Sequence, residues 1–208
     1  MKGFLLVCAL LCTSFGFGQT YSDTIDEIRI MHMVELMDST SGVLNLSEIK
    51  NFQGLAYFDV DTNYQIQARF TKNIGRRFKM ITSTDRRPIY RRFGFVEFTL
   101  HDTICRLTVY QNMELSGFLH FSTRKVYKDY LFIPFRDVTS GKETYGGGRF
   151  LDARIPTNDT LILDFNLNYN PYCAYSERYS CPIPPAENTL RVSILAGEKI
   201  PVGYFVHH

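Results

Sequence analysis

The sequence predicts a mainly β fold, an antiparallel β-sandwich or partly open barrel led by one N-terminal helix. Three observations predict it. Helical periodicity occurs once, near the start; many short segments that alternate apolar and polar side chains follow; and no repeat, low-complexity tract or linker divides the 208-residue chain.

The first 18 residues read as a signal peptide. Lys2 supplies a positive start, Gly3 to Phe17 is uncharged and largely apolar, and Gly16 and Gly18 place small residues for cleavage before Gln19. That run falls short of the ~20 residues that cross a bilayer, and no later stretch is apolar enough, so no membrane anchor is expected. Cys8 follows Val7 and Cys12 follows Leu11, which excludes lipoprotein processing. The mature chain, residues 19–208, is expected as a single domain in the periplasm or outside the cell.

The helix comes first. Thr24 and Glu27 suggest a capping box, and Ile28, Ile30, Met31, Met33, Val34 and Met37 recur at helical spacing until Ser39 to Gly42 breaks the pattern. Core packing is the commoner meaning of such a Met-rich stripe. The period then changes to two. Tyr64, Ile66, Ala68 and Phe70 alternate with polar neighbours, as do Val96, Phe98 and Leu100, then Leu161, Leu163 and Phe165, and Leu190, Val192 and Ile194. Further strands are predicted over 55–60, 76–82, 104–110 and 130–135.

Charge is nearly balanced, with 23 basic and 21 acidic residues, but unevenly spread. Arg69, Lys72, Arg76, Arg77, Lys79, Arg86, Arg87, Arg91 and Arg92 fall in one stretch whose one acid is Asp85. Such a stretch suits anionic partners, although solvated strand faces pairing with acids elsewhere are the commoner outcome. No nucleic-acid-reading motif is present, and export argues against that partner. Familiar chemistries are absent too. Gly141-Lys142 lacks the rest of a phosphate-binding loop, Gly146-Gly147-Gly148 lacks dinucleotide spacing, and neither G-x-S-x-G nor His-Glu-x-x-His occurs. The histidines, at 32, 101, 120, 207 and 208, lie far from the motif-dense region. Neither a cofactor nor a metal site is expected.

That region runs from Leu131 to Lys199. It contains Phe132-Ile133-Pro134-Phe135-Arg136-Asp137, Thr144-Tyr145-Gly146-Gly147-Gly148-Arg149-Phe150-Leu151-Asp152, Leu163-Asp164-Phe165-Asn166, Tyr169-Asn170-Pro171-Tyr172-Cys173 and Tyr179-Ser180-Cys181-Pro182. With Phe52-x-Gly54-Leu55 and Tyr90-Arg91-Arg92-Phe93-Gly94 upstream, these strings resemble the bacterial family called domain of unknown function 1684. The resemblance covers nearly the whole mature chain. Phe150 stands where a Tyr is usual, and Leu167-Asn168 replaces a usual residue-plus-Ala. The family implies a domain and no activity.

The residues themselves suggest a site. Three glycines allow close backbone approach, and Arg136 and Arg149 flank them with planar donors suited to carboxylate or phosphate. Tyr145, Tyr169, Tyr172, Tyr175 and Tyr179 offer aromatic faces with polar tips. A small polar or anionic ligand would then contact Arg136, Tyr145, Gly146, Gly147, Gly148, Arg149, Asn166, Tyr169 and Asn170. Alternatively, Asp137, Asp152, Asp164 and Glu187 are catalytic candidates for a hydrolase-type enzyme. A third reading has the whole block only stabilising loops. Cys173 and Cys181 form the natural disulfide in an oxidising compartment, with plain packing and then metal ligation as alternatives. Cys105 reads as a buried thiol.

Overall fold

A computed structural model describes residues 20–118 and 126–203. The leader read over residues 1–18, together with His120, His207 and His208, lies outside the described residues.

Helix α1 spans Tyr21–Met37. Its capping box lies one turn earlier than Thr24 and Glu27 suggest. The Thr20 side chain accepts from the Asp23 amide, and the Asp23 carboxylate accepts from the Thr20 amide. Thr24 instead donates its hydroxyl back to the Thr20 carbonyl at 3.2 Å. The Met-rich stripe also turns out to face away from the core: Met31 is 62% exposed and Val34 58%. The inward stripe is Tyr21, Ile25, Arg29, His32 and Leu36, of which Ile25 and Leu36 are buried and the others bond to groups below. Two stripes compete for one helix, and the one with polar partners waiting beneath it wins. A short second helix, α2 (Leu46–Asn51), is capped by Asn45 and Glu48.

Seven strands follow: β1 (Gln65–Lys72), β2 (Arg77–Lys79), β3 (Ile89–Leu100), β4 (Thr103–Asn112), β5 (Tyr130–Phe135), β6 (Arg149–Arg154) and β7 (Thr160–Asp164). All pairings are antiparallel, in the order β6-β5-β4-β3-β1-β7, with β2 also beside β3. The sheet curls into a half-barrel, bringing its terminal strands β6 and β7 into contact. The fold is therefore mainly antiparallel β with an N-terminal helix, as the alternation predicts.

Some predicted strands are not there. Residues 55–60 contribute one bridge, Tyr57 to Glu198, and 190–194 form no ladder. Leu190 and Ile194 are nevertheless buried, because their amides donate to the Arg136 carbonyl at 2.8 Å and the Asp137 carboxylate at 2.6 Å. Alternation there reports burial by a loop pinned to one backbone carbonyl and one carboxylate. Residues 76–82 shrink to β2 and an isolated Thr82–Pro182 bridge. Conversely, the stretch after the glycines is strand β6.

Strand alternation sorts the side chains into two layers. Ala68, Phe70, Val96, Leu107, Val109, Leu131, Ile133, Phe135, Leu151 and Leu163 fill the main core, closed by Phe165, Leu190 and Ile194. Each buried Val, Leu, Ile or Phe among them stabilises by about 1.5–3 kcal/mol. Tyr90, Tyr110, Phe132 and Phe150 form a separate aromatic cluster with Met80, Cys173 and Cys181. Phe132 and Phe150 meet edge to face, their ring centroids 4.7 Å apart.

Candidate functional site

The aromatic cluster does not close on itself. Between it and α1 lies an open cavity of about 500 Å³. Strands β3, β5 and β6 supply Tyr90, Tyr130, Phe132, Phe150 and Asp152; the loop after β7 adds Tyr169 and Tyr172; and α1 roofs it with Ile28, Arg29, His32 and Glu35. The volume and the mix of aromatic wall with few polar groups are those of a small-molecule site.

Asp152 is the polar centre. It lies opposite Phe132 in the β5–β6 register, which sends its side chain to the aromatic layer. The Tyr130 hydroxyl donates to it at 2.6 Å and the Tyr169 hydroxyl at 2.9 Å, both to Oδ1. Among the described residues no side chain donates to Oδ2. The carboxylate keeps solvent contact through the cavity, yet protein crowds its other sides. That burial raises its pKa above the usual carboxylate range, against the opposing pull of the two tyrosine hydrogen bonds and Arg154. Burial and the adjacent charge also push the Tyr130 and Tyr169 phenols well up, so both stay donors.

The roof reaches the site through the inward stripe of α1. Tyr21 donates to both Asp164 carboxylate oxygens, at 2.8 and 2.7 Å. Arg29 lies over the Tyr57 ring at 4.5 Å and donates to the Asn166 carbonyl at 3.4 Å. His32 sits 3.3 Å from the Tyr57 hydroxyl and edge-on to the Tyr169 ring, and burial lowers its pKa. Glu35 accepts from the Tyr172 hydroxyl at 3.3 Å.

The residues singled out in the sequence divide between this cavity and elsewhere. Asp152, Asn166 and Tyr169 line it. Asn166 is itself a staple: its amide nitrogen donates to the Asp61 carbonyl and its oxygen accepts from the Asp61 amide. Arg149 points into the interior instead. It is 1% exposed, 3.5 Å from Asp137, and donates to the carbonyls of Ile194, Ala196 and Glu198. Burial lowers its pKa to about 10, with Asp137 opposing. Asn170 joins the same interior, its amide donating to the fully buried Glu198 at 2.8 Å, and burial raises the Glu198 pKa to about 8.

Gly148, at φ +90°, packs against the Phe135 carbonyl and Pro184, so a Cβ would fall 2.6 Å from that oxygen. The glycine run here is a tight entry into β6, with Arg136 donating to the Gly146 carbonyl and Tyr145 set 4.0 Å from the Cys173 sulfur. Nor do the four acids gather. Asp137 is held by Thr139, Asp164 by Tyr21, and Glu187 by the Tyr110 hydroxyl at 2.6 Å. Asp152 is the one of the four that lines the cavity.

Cys173 and Cys181 are buried side by side as thiols, the Cys173 amide donating to the Cys181 sulfur at 3.3 Å, and Cys181 borders the cavity. Their contact, with burial, pushes the Cys181 thiol far up. Cys105 is a buried thiol, as expected. Among the described residues no cluster of His, Cys, Asp or Glu could hold a metal ion. No helix among them is long and apolar enough to cross a membrane.

Sequence reasoning missed Arg29, His32, Glu35, Tyr57, Tyr90 and Tyr130. The available signal was the inward stripe itself, Tyr21, Ile25, Arg29, His32 and Leu36, at helical spacing with two apolar anchors. The louder Met and Ile stripe masked it.

Comparison with known proteins agrees with this architecture. The family profile described as "Protein of unknown function (DUF1684)" matches residues 50–199, and the chain belongs to that family. An uncharacterized protein of Haloarcula marismortui, solved in solution by NMR, is 29% identical with a TM-score of 0.64. The match covers 87% of this chain and 95% of that one. No curated protein matches.

Proposed function

We propose that this member of the DUF1684 family is a binding module for a small polar molecule, held in the cavity between α1 and the aromatic face of the sheet. One observation carries the reading: both tyrosine donors of Asp152 use Oδ1, which leaves Oδ2 to receive a donor from a ligand. The ligand that fits presents a hydroxyl or amine to Asp152 and a flat or ring-shaped face to Tyr90, Phe132 and Tyr169. Arg149 is spent inside the protein, so Arg29 on the roof is the arginine left to meet any anionic group the ligand carries.

A saturation-transfer NMR or thermal-shift screen of polyols, sugars, nucleosides and amines tests it. Hits are expected to lose at least about tenfold in affinity in Asp152→Asn and in Tyr169→Phe, the cost of a charge-assisted hydrogen bond. Undiminished binding to both variants would remove the cavity from consideration.

A second reading has Asp152 as the general acid of a hydrolase-type enzyme, supported by its raised pKa and by Glu35 on the roof. Turnover that disappears in Asp152→Asn while binding survives would favour it. We further propose that residues 1–18 direct export and that Cys173 and Cys181 bridge in the oxidising compartment they reach. A secreted product still carrying both thiols, by alkylation and mass measurement, would contradict the bridge.

A further inference from the structure

The basic stretch is not absorbed by the cavity, and the structure shows what surrounds it. Arg77 lies opposite Arg91 and Lys79 opposite Ile89, so these four share one face of the β2–β3 pair. Arg76, Arg77, Lys79, Arg86 and Arg87 are all exposed. Large aliphatic side chains are interleaved with them along the chain: Ile74 is 48% exposed, Ile81 60%, and Ile89, opposite Lys79, 40%. Of Arg86, Arg87, Arg91 and Arg92, one is paired with an acid among the described residues. Arg86 meets Glu114 at 3.6 Å, but Arg91 donates to neutral Gln111, Arg92 to Asn73, and Arg87 to backbone carbonyls.

We propose that this edge of the sheet docks on an anionic lipid surface, its arginines and Lys79 on the phosphates and Ile74, Ile81 and Ile89 in the boundary below them. Charge selects an anion. The interleaved isoleucines select a bilayer over a soluble polyanion, since only an apolar medium rewards their burial. Arg and Lys stems laid along the surface reach from that boundary to the headgroups.

Co-sedimentation of the purified protein with vesicles tests the assignment. Binding is expected to phosphatidylcholine vesicles carrying roughly 30% phosphatidylglycerol, to fall with added salt, and to be at least about tenfold weaker without the anionic lipid. Ile81→Ser should weaken it about tenfold, and Arg76→Gln and Lys79→Gln about fivefold each. Circular dichroism of each exposed-site variant confirms that the fold is kept. No binding to the anionic vesicles at about 50 mM salt overturns the proposal. So does equal affinity for soluble heparin with Ile81→Ser indifferent in both, which would make the face a polyanion site.

Discussion

Two polar centres lie on either side of β6, and they use similar residues to opposite ends. Around Arg149, the Asp137 carboxylate, the Ile194, Ala196 and Glu198 carbonyls, Asn170 and Glu198 form an interior knot buried from solvent. Around Asp152, two tyrosines occupy one oxygen and leave the other to a cavity. The motif-dense residues are thus mostly spent on holding the C-terminal loops to the sheet. Three atoms of the knot, Arg149 Nε, Asn170 Oδ1 and Glu198 Oε1, also lack a partner among the described residues, so what separates the two centres is that only Asp152 opens on the cavity.

The contrast breaks first at Arg149. Arg149→Met strands the buried Asp137 charge and should cost about 3–5 kcal/mol in urea unfolding, whereas a loss under ~1 kcal/mol would mean the knot is not structural. Next comes pH. The folded-state pKa of Glu198 is raised to about 8 from 4.5, so the folded protein holds more protons between those values. Its contribution is complete below 4.5 and is lost as pH rises towards 8, at up to about 1.4 kcal/mol per unit. His32 runs the other way: its lowered pKa makes stability fall as pH drops below 6.5. Glu198→Gln should therefore flatten the decline between pH 5 and 8, and His32→Gln the acid side, each read as a difference from wild type.

Smaller still is Gly148→Ala, where positive φ and the Phe135 carbonyl together should cost about 1–3 kcal/mol. Asp152→Asn should shift stability by less than about 0.5 kcal/mol while weakening ligand binding at least about tenfold. A large destabilisation there would erase the distinction between the two centres.

Much of the fold was legible because alternation is local. Ala68 and Phe70, Leu161 and Leu163, and Val96 to Leu100 announce their strands without reference to anything distant. Residues 190–194 alternate equally well and form no strand, since their amides are claimed by Arg136 and Asp137 from far away in sequence. The site was harder to read. Asp152 and Tyr169 stood out by composition, but what encloses them in a cavity is a helix more than a hundred residues upstream. Arg149 stood out for the same reason as Asp152, and burial, which composition does not encode, separates their roles.

Helix α1 ends at Met37, and the family match begins at residue 50. The strands and loops that form the bowl of the cavity therefore lie within the matched residues, while Arg29, His32 and Glu35 lie ahead of them. Replacing those side chains would reshape the chamber's ceiling without disturbing a single residue of the main core. A ligand identified for one member of the family accordingly transfers to another only when the ceiling transfers with it.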